Sequence, residues 1–256
     1  MSQPPLVSIV IANYNYGRFL AEAIDSALGQ SRSRVEVVVV DDGSTDESVE
    51  VASRFPVALV RQENCGVCAA RHAGVRKASG DYLVFLDADD ALEPEYVSRC
   101  LAALEQAPPG VAYAYTGVRY FGDENGIKIP RPFDPSALLH ESFVNASALI
   151  RRSVFESTGG FDTGWTLGHE DRELWIQMLS RGYHGILVPE PLLRYRKHKG
   201  SRNDLSRAEL RQLRWRLRLS YPRLYWAKLL KDPIRTVVYW FRFRGKLRRN
   251  PGLSWE

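Results

Sequence analysis

Asp87, Asp89 and Asp90 fall within four positions at the end of the apolar run YLVFLD, and a second acidic group, Glu170, Asp171 and Glu173, follows far downstream. Hydrated carboxylates gain nothing from crowding or burial, so each cluster needs a compensating partner. A divalent cation taking oxygen ligands is one such partner; free backbone N–H groups at the start of a helix are another. Asp87 and Asp89 are one residue apart, so in extended chain their carboxylates share a side, about 6–7 Å apart at the Cα atoms. That spacing suits a hard cation whose other positions go to water and a diphosphate. A carboxylate such as Asp171 can serve as a general base, or can simply favour a helix N-terminus through the dipole. Ser44 with Glu47 and Asp90 with Glu93 have capping-box spacing, and both pairs are expected to cap. Caps leave Asp41, Asp42, Asp87 and Asp89 unexplained.

The elements that would position these acids follow from the apolar pattern. Residues 6–12, 35–41, 57–61 and 81–87 are short runs rich in Val, Ile and Leu, as in strands buried on both faces. Helical patterns at Phe19–Leu28, Glu47–Arg54 and Val67–Ala78 alternate with them, which predicts a parallel, doubly wound sheet with right-handed crossovers. A helix carrying Tyr96, Leu101 and Leu104 ends at Pro108-Pro109-Gly110, and a fifth strand covers 111–118. Residues 119–135, rich in Gly, Pro and Asp, are expected to form a hairpin or mobile loop. A segment at 144–150, a helix from about Glu170 to Arg181 and a strand at 185–188 complete the body, with "LLRYRKHKGSRN" as a basic loop after the last strand. Ligands of an open parallel sheet bind beyond the carboxyl ends of its strands. Here those ends carry Asn13-Tyr14-Asn15, Asp41-Asp42-Gly43-Ser44 and Asp87-Ala88-Asp89-Asp90, three polar clusters facing one cleft.

The stretches "VSIVIANYNYGRFLAEAIDSAL", "VVVVDDGSTDES", "ENCGVCAARHAGVRKASGDYLVFLDADD" and "GGFDTGWTLGHEDRELWIQML", in this order and spacing, resemble the inverting family-2 glycosyltransferases over residues 7 to about 200. The resemblance implies an α/β fold of GT-A type: a doubly wound, mostly parallel sheet with a merged acceptor-binding half and a basic helical C-terminal tail. The implied boundaries are 1–204 for the catalytic domain, with a nucleotide half to about 118 and an acceptor half over 119–204, and 205–256 for the tail. It also assigns roles. Asp42 matches the carboxylate that accepts from the pyrimidine N–H of a UDP- or dTDP-sugar donor, and Arg71 the arginine along the base and phosphates. Asp87 matches the ribose contact and Asp89 the Mn2+ or Mg2+ ligand, while Asn13 and Tyr14 border the same donor site. Glu170 and Asp171 match the acceptor-side pair, with Asp171 as general base and Glu170 orienting the acceptor. Arg196 and His198 match a segment that closes over the diphosphate, and Trp165 and His169 are acceptor-side candidates. His72 departs from the pattern, standing where an Asn commonly follows the arginine. The Gln-x-x-Arg-Trp signature of processive synthases is missing, which implies transfer of one sugar.

Charge divides the chain. Residues 205–256 hold fourteen Lys/Arg against three acids, a net +11 that leaves −6 for residues 1–204 of the +5 total. The tail interleaves these cations with Trp215, Tyr221, Tyr225, Trp226, Tyr239, Trp240, Phe241 and Phe243. No RNA-binding fold surrounds the aromatics, so a membrane surface is expected in place of nucleic acid, with helices at Tyr225–Lys231 and Val237–Leu247. A lipid-linked or glycan acceptor would suit such an anchor. Leu6–Ala12 lacks preceding basic residues and reads as a strand, not a signal peptide, and no apolar run approaches about 18 residues. The expected place is therefore cytoplasmic, peripheral on the inner membrane face. Three cysteines cannot build a disulfide framework; Cys65 and Cys68 have redox spacing but no second pair, and read as packing thiols. Two rivals remain: a haloacid-dehalogenase-type phosphatase, whose Asp-x-Asp closes the first strand whereas this one closes the fourth, and an inactive nucleotide-sugar-binding or membrane-docked scaffold.

Overall fold

A computed structural model describes residues 4–31, 33–165, 168–198 and 207–225. The first half is a run of βα units: β1 (Leu6–Asn13), α1 (Gly17–Leu28), β2 (Arg34–Asp41), α2 (Ser48–Ala52), β3 (Ala58–Arg61), α3 (Val67–Lys77) and β4 (Tyr82–Asp87). The strands pair in the parallel order β3-β2-β1-β4. Val7, Ile9, Ile11, Val37, Val39, Val84 and Leu86 are buried in one apolar cluster with α1 and with Tyr96, Val97, Leu101 and Leu104, as the runs of branched residues require. The register sets the rim level: Asn13 pairs with Asp41, Ala12 with Asp87, and Asp41 with Arg61. Adjacent strands lie about 4.8 Å apart, so the ends of β2 and β4 flank β1 within roughly 10 Å.

The second half continues with β5 (Ala91–Leu92), α4 (Tyr96–Glu105), β6 (Val111–Gly122), β7 (Gly126–Lys128), α5 (Pro135–Leu138), β8 (Leu149–Arg151), α6 (Arg152–Thr158), α7 (Glu170–Ser180) and β9 (His184–Lys197). Among the described residues the strands form one nine-stranded sheet, in the order β3-β2-β1-β4-β8-β6-β9-β5 with β7 on β6. The sheet is mostly parallel, but β8 is antiparallel to both β4 and β6 where it joins the two halves. The hairpin expected in 119–135 is present as β6–β7. The segment at 144–150 ends in the short strand β8, Leu149–Arg151. One expectation needs correction: the strand at 185–188 runs on to Lys197. Residues 192–197 are therefore strand and not loop: their backbone is pinned by β6 on one side and β5 on the other, pairings between segments distant in sequence.

The described residues divide into two compact units, one ending at Glu209 and the other beginning at Leu210. α8 (Arg207–Ser220) carries Leu213 and Leu217 as buried positions among arginines. The expected helix at Val237–Leu247, and all of Tyr225–Lys231 except its first residue, lie outside the described residues. Among the described residues, no helix is long and apolar enough to cross a membrane.

Candidate functional site

The rim of β1 and β2 is laced by side chains from three turns. Asn13 Nδ2 donates to Asp41 Oδ1 at 3.2 Å and to Ser44 Oγ at 3.1 Å, and Ser44 Oγ also accepts from Asn15 N at 2.9 Å. Asn15 holds a left-handed φ of 57°, and its Oδ1 accepts from Thr45 N at 2.8 Å. Ser44 is thus not a helix cap. α2 starts later, with no side-chain cap, because Ser44 is committed to the Asn13–Asn15 turn. Asp42 is buried and accepts three bonds: from Gln62 Nε2 at 2.7 Å, Cys65 N at 2.9 Å and Gly66 N at 2.8 Å. An ionised carboxylate has about four acceptor directions, so one is left. Gly43, at φ 80°, leaves only 2.9 Å between a hypothetical Cβ and Asn64 N, so no side chain fits that turn. Tyr14 stands exposed beside it.

Arg71, on the buried face of α3, is 2% exposed and joins the two halves. Its Nη2 lies 2.8 Å from Asp87 Oδ1 at the end of β4, and its Nη1 3.0 Å from Glu170 Oε1 at the start of α7. The guanidinium stands 4.8 Å above the Phe161 ring, which packs edge-on to Phe85. Burial lowers the guanidinium pKa, but Asp87 and Glu170 outweigh it and raise the net value.

Asp87 and Asp89 do not act side by side as extended chain would have them. Residues after Asp87 turn, so Asp87 faces Arg71, while Asp89 Oδ2 lies 2.9 Å from His198 Nε2. Arg196 Nε donates to the Asp89 carbonyl at 2.9 Å, and its backbone N donates to Asp90 Oδ1 at 2.9 Å. Asp90 therefore fixes β9 and does not cap α4, whose N-cap is Glu95 without a side-chain bond. Burial, reinforced by Asp89 and Asp87, pushes the Asp90 pKa well above the usual carboxylate range. Arg196 is held further by an ion pair to Glu22 and by the rings of Phe19 and Phe121. A cleft of about 470 Å³ opens here, lined by Arg18, Phe19, Gly122, Asp123, Arg196, Lys197 and His198. Among the described residues no group of three metal-ligating side chains converges. One carboxylate and one imidazole do, and that donor set fits a divalent cation that keeps waters and takes its remaining oxygens from a substrate.

Glu170 opens α7 directly after His169, whose φ of 58° is left-handed, and Asp171 follows as its second residue. Trp165 is 4% exposed and its Nε1 donates to Gly168 O at 2.8 Å, so its ring is taken up by packing and offers no open face for a sugar. The cysteines are free: Cys65 is exposed, and burial pushes the Cys68 thiol up to about 11, which agrees with a packing thiol.

The family model for "Glycosyl transferase family 2" matches residues 8–168, more than half of the chain. The chain belongs to glycosyl transferase family 2. It is 38% identical over 218 residues to glycosyltransferase GlyA of Streptococcus pneumoniae, a match covering 76% of this chain but 31% of GlyA. It is 28% identical over 198 residues to an uncharacterized glycosyltransferase of Haemophilus influenzae, covering 73% of this chain and 67% of that one. Among solved structures, TarS of S. aureus in complex with UDP-GlcNAc superposes with a TM-score of 0.66 at 16% identity, over 78% of this chain and 61% of TarS. Mannosyltransferase PcManGT of Pyrobaculum calidifontis, with GDP-Man and Mn2+, gives 0.59 at 24% identity, over 90% of this chain and 66% of that one. These likenesses establish the GT-A fold.

The family match ends just short of Glu170 and Asp171. Their environment distinguishes them. Glu170 is paired with Arg71, whereas Asp171 accepts from Arg172 N at 2.7 Å, and burial, then the Glu170 charge, push its pKa up to about 7. His169 is shifted the other way, its pKa lowered by burial and by Arg172. A carboxyl whose folded pKa exceeds its unfolded value of about 3.9 favours folding while protonated, and that contribution is lost as pH rises through the folded pKa. Asp171→Asn should therefore gain melting temperature over the natural protein as pH is raised from 5 to 8. A difference that stays constant across that range would show that Asp171 titrates as an ordinary surface acid.

Proposed function

We propose that this glycosyltransferase moves one sugar, with inversion, from a UDP- or dTDP-sugar to an acceptor hydroxyl on a lipid-linked or polysaccharide precursor of cell-surface glycan. The observation that carries the reading is the Asp87–Arg71–Glu170 bridge, which sets a carboxyl of pKa about 7, Asp171, beside the rim where the donor would lie. The TarS complex with UDP-GlcNAc and the PcManGT complex with GDP-Man and Mn2+ support a nucleotide-sugar donor.

Asp42 has one acceptor direction left for the N–H of a pyrimidine, and Asn13 and Tyr14 border the same face. Arg71 orients Asp87 toward the ribose. Asp89 and His198 would hold Mn2+ or Mg2+, which when bound neutralises charge on the departing diphosphate. The acceptor hydroxyl loses its proton to Asp171 Oδ as it attacks the anomeric carbon from the face opposite the diphosphate. Glu170, fixed by Arg71, orients the acceptor, with His169 alongside. A base of pKa near 7 is poised for proton transfer at neutral pH. Asp171→Asn should lower nucleotide release from a panel of UDP- and dTDP-sugars, with cell-envelope lipid as acceptor, by about 10²–10⁴-fold. Its affinity for UDP should be unchanged. Full turnover in the variant would refute the assignment and favour the scaffold reading.

The same proposal places the chain on the inner face of the cytoplasmic membrane, through the +11 tail that α8 opens. Cations near an anionic leaflet gain about 1 kcal/mol each. Flotation with anionic vesicles should be lost when residues 205–256 are removed; equal recovery of both proteins would dismiss the membrane partner.

A further inference from the structure

Helix α3 turns one face toward the segment that joins α6 to α7. Cys68, Arg71 and His72 stand at positions i, i+3 and i+4, which share a helix face. Each holds a different point along that segment. Arg71 pairs with Glu170 at 3.0 Å, Cys68 Sγ lies 3.9 Å from Trp165 O, and His72 Nε2 lies 2.9 Å from Phe161 O. The His72 contact sits where the chain changes direction: Gly159 and Gly160 have φ of 86° and 73°. A Cβ on Gly160 would lie 2.6 Å from His72 Cε1, so the imidazole closes directly over that turn. A carbonyl oxygen only accepts, so Nε2 carries the proton. The ring also packs against Phe155, whose ring meets those of Phe85 and Phe161 beneath Arg71.

We infer that His72 is a positioning residue for the acceptor-side carboxylates: its Nε2–H grips the Phe161 carbonyl and sets the path that delivers Glu170 and Asp171 to the rim. It acts through the segment and touches neither substrate. The tether stands on geometry alone; its effect on transfer rests on the role proposed for Asp171. The reach matters. A Gln amide places an N–H at about the distance of Nε2, whereas an Asn amide stops one bond short.

Hydrogen exchange on the full chain, with UDP affinity and sugar transfer measured on the same samples, tests this. In His72→Ala, amides of residues 159–165 should exchange about three- to tenfold faster, the worth of one hydrogen bond. Amides of β1 and β4, and the affinity for UDP, should not change, while kcat falls. His72→Gln should restore both protection and kcat. Natural exchange at 159–165 in His72→Ala, acceleration spread evenly over the chain, or a Gln variant as loose as Ala would each overturn the inference. A loosened segment with unaltered kcat would overturn the positioning role. Absence of transfer in the natural protein would instead fault the proposed function, leaving the exchange result to judge the tether. Should His72→Ala fail to fold, His72→Phe keeps the ring volume against Phe155 and removes only the donor, and the same comparison applies.

Discussion

A buried guanidinium is tolerated only where anions and hydrogen bonds replace its hydration, and here the anions come from two different halves of the fold. Asp87 ends β4 and Glu170 begins α7, so the Arg71 charge can be compensated only when the strand-end rim and α7 are in register. Lysine would not serve, because a point charge lacks the fork that reaches two carboxylates in fixed directions. The Phe161 ring under the guanidinium narrows the geometry further. The bridge also sorts the acidic pair. Glu170 is paired with Arg71, and its charge, added to burial, raises the pKa of its neighbour. Two adjacent carboxyl groups thus sit in different electrostatic surroundings, the kind of arrangement by which acid–base roles can be divided.

The remainder of the rim is preorganised by bonds within the protein. Asn13, Asn15 and Ser44 tie the turn after β1 to the turn after β2, and Asp42 is locked by the loop after β3. At the other end, β9 brings His198 to Asp89 from a segment more than a hundred residues away. The rim therefore draws on the ends of β1, β2, β4 and β9 and on the start of α7.

Much of this was legible in the sequence. The apolar runs marked β1–β4 and the alternation marked a parallel sheet, because burial on both faces leaves a compositional trace. The clustering of Asn13, Asp42, Asp87 and Asp89 at strand ends followed from the topology. Local spacing misled where a side chain had a distant partner. Ser44 and Asp90 have the spacing of caps but bond to Asn15 and Arg196, and Asp89 parts from Asp87 to meet His198. The extension of β9 was hidden in a basic, polar stretch, since its pairing with β6 and β5 is long-range. Trp165 read as an acceptor-side candidate, and only tertiary packing shows it buried. The contacts of His72 with Phe161 and of Glu22 with Arg194 carry no local signature at all.

The joining of β4 to α7 depends on the energetic coupling of Arg71 to Glu170. A double-mutant cycle on folding free energy, using Arg71→Met, Glu170→Gln and the pair together, measures it directly. Groups in one buried network should show an interaction energy of about 1–3 kcal/mol. Losses that add to within about 0.5 kcal/mol would mean that the two halves are joined by other contacts, and that Asp171 owes its position to something else.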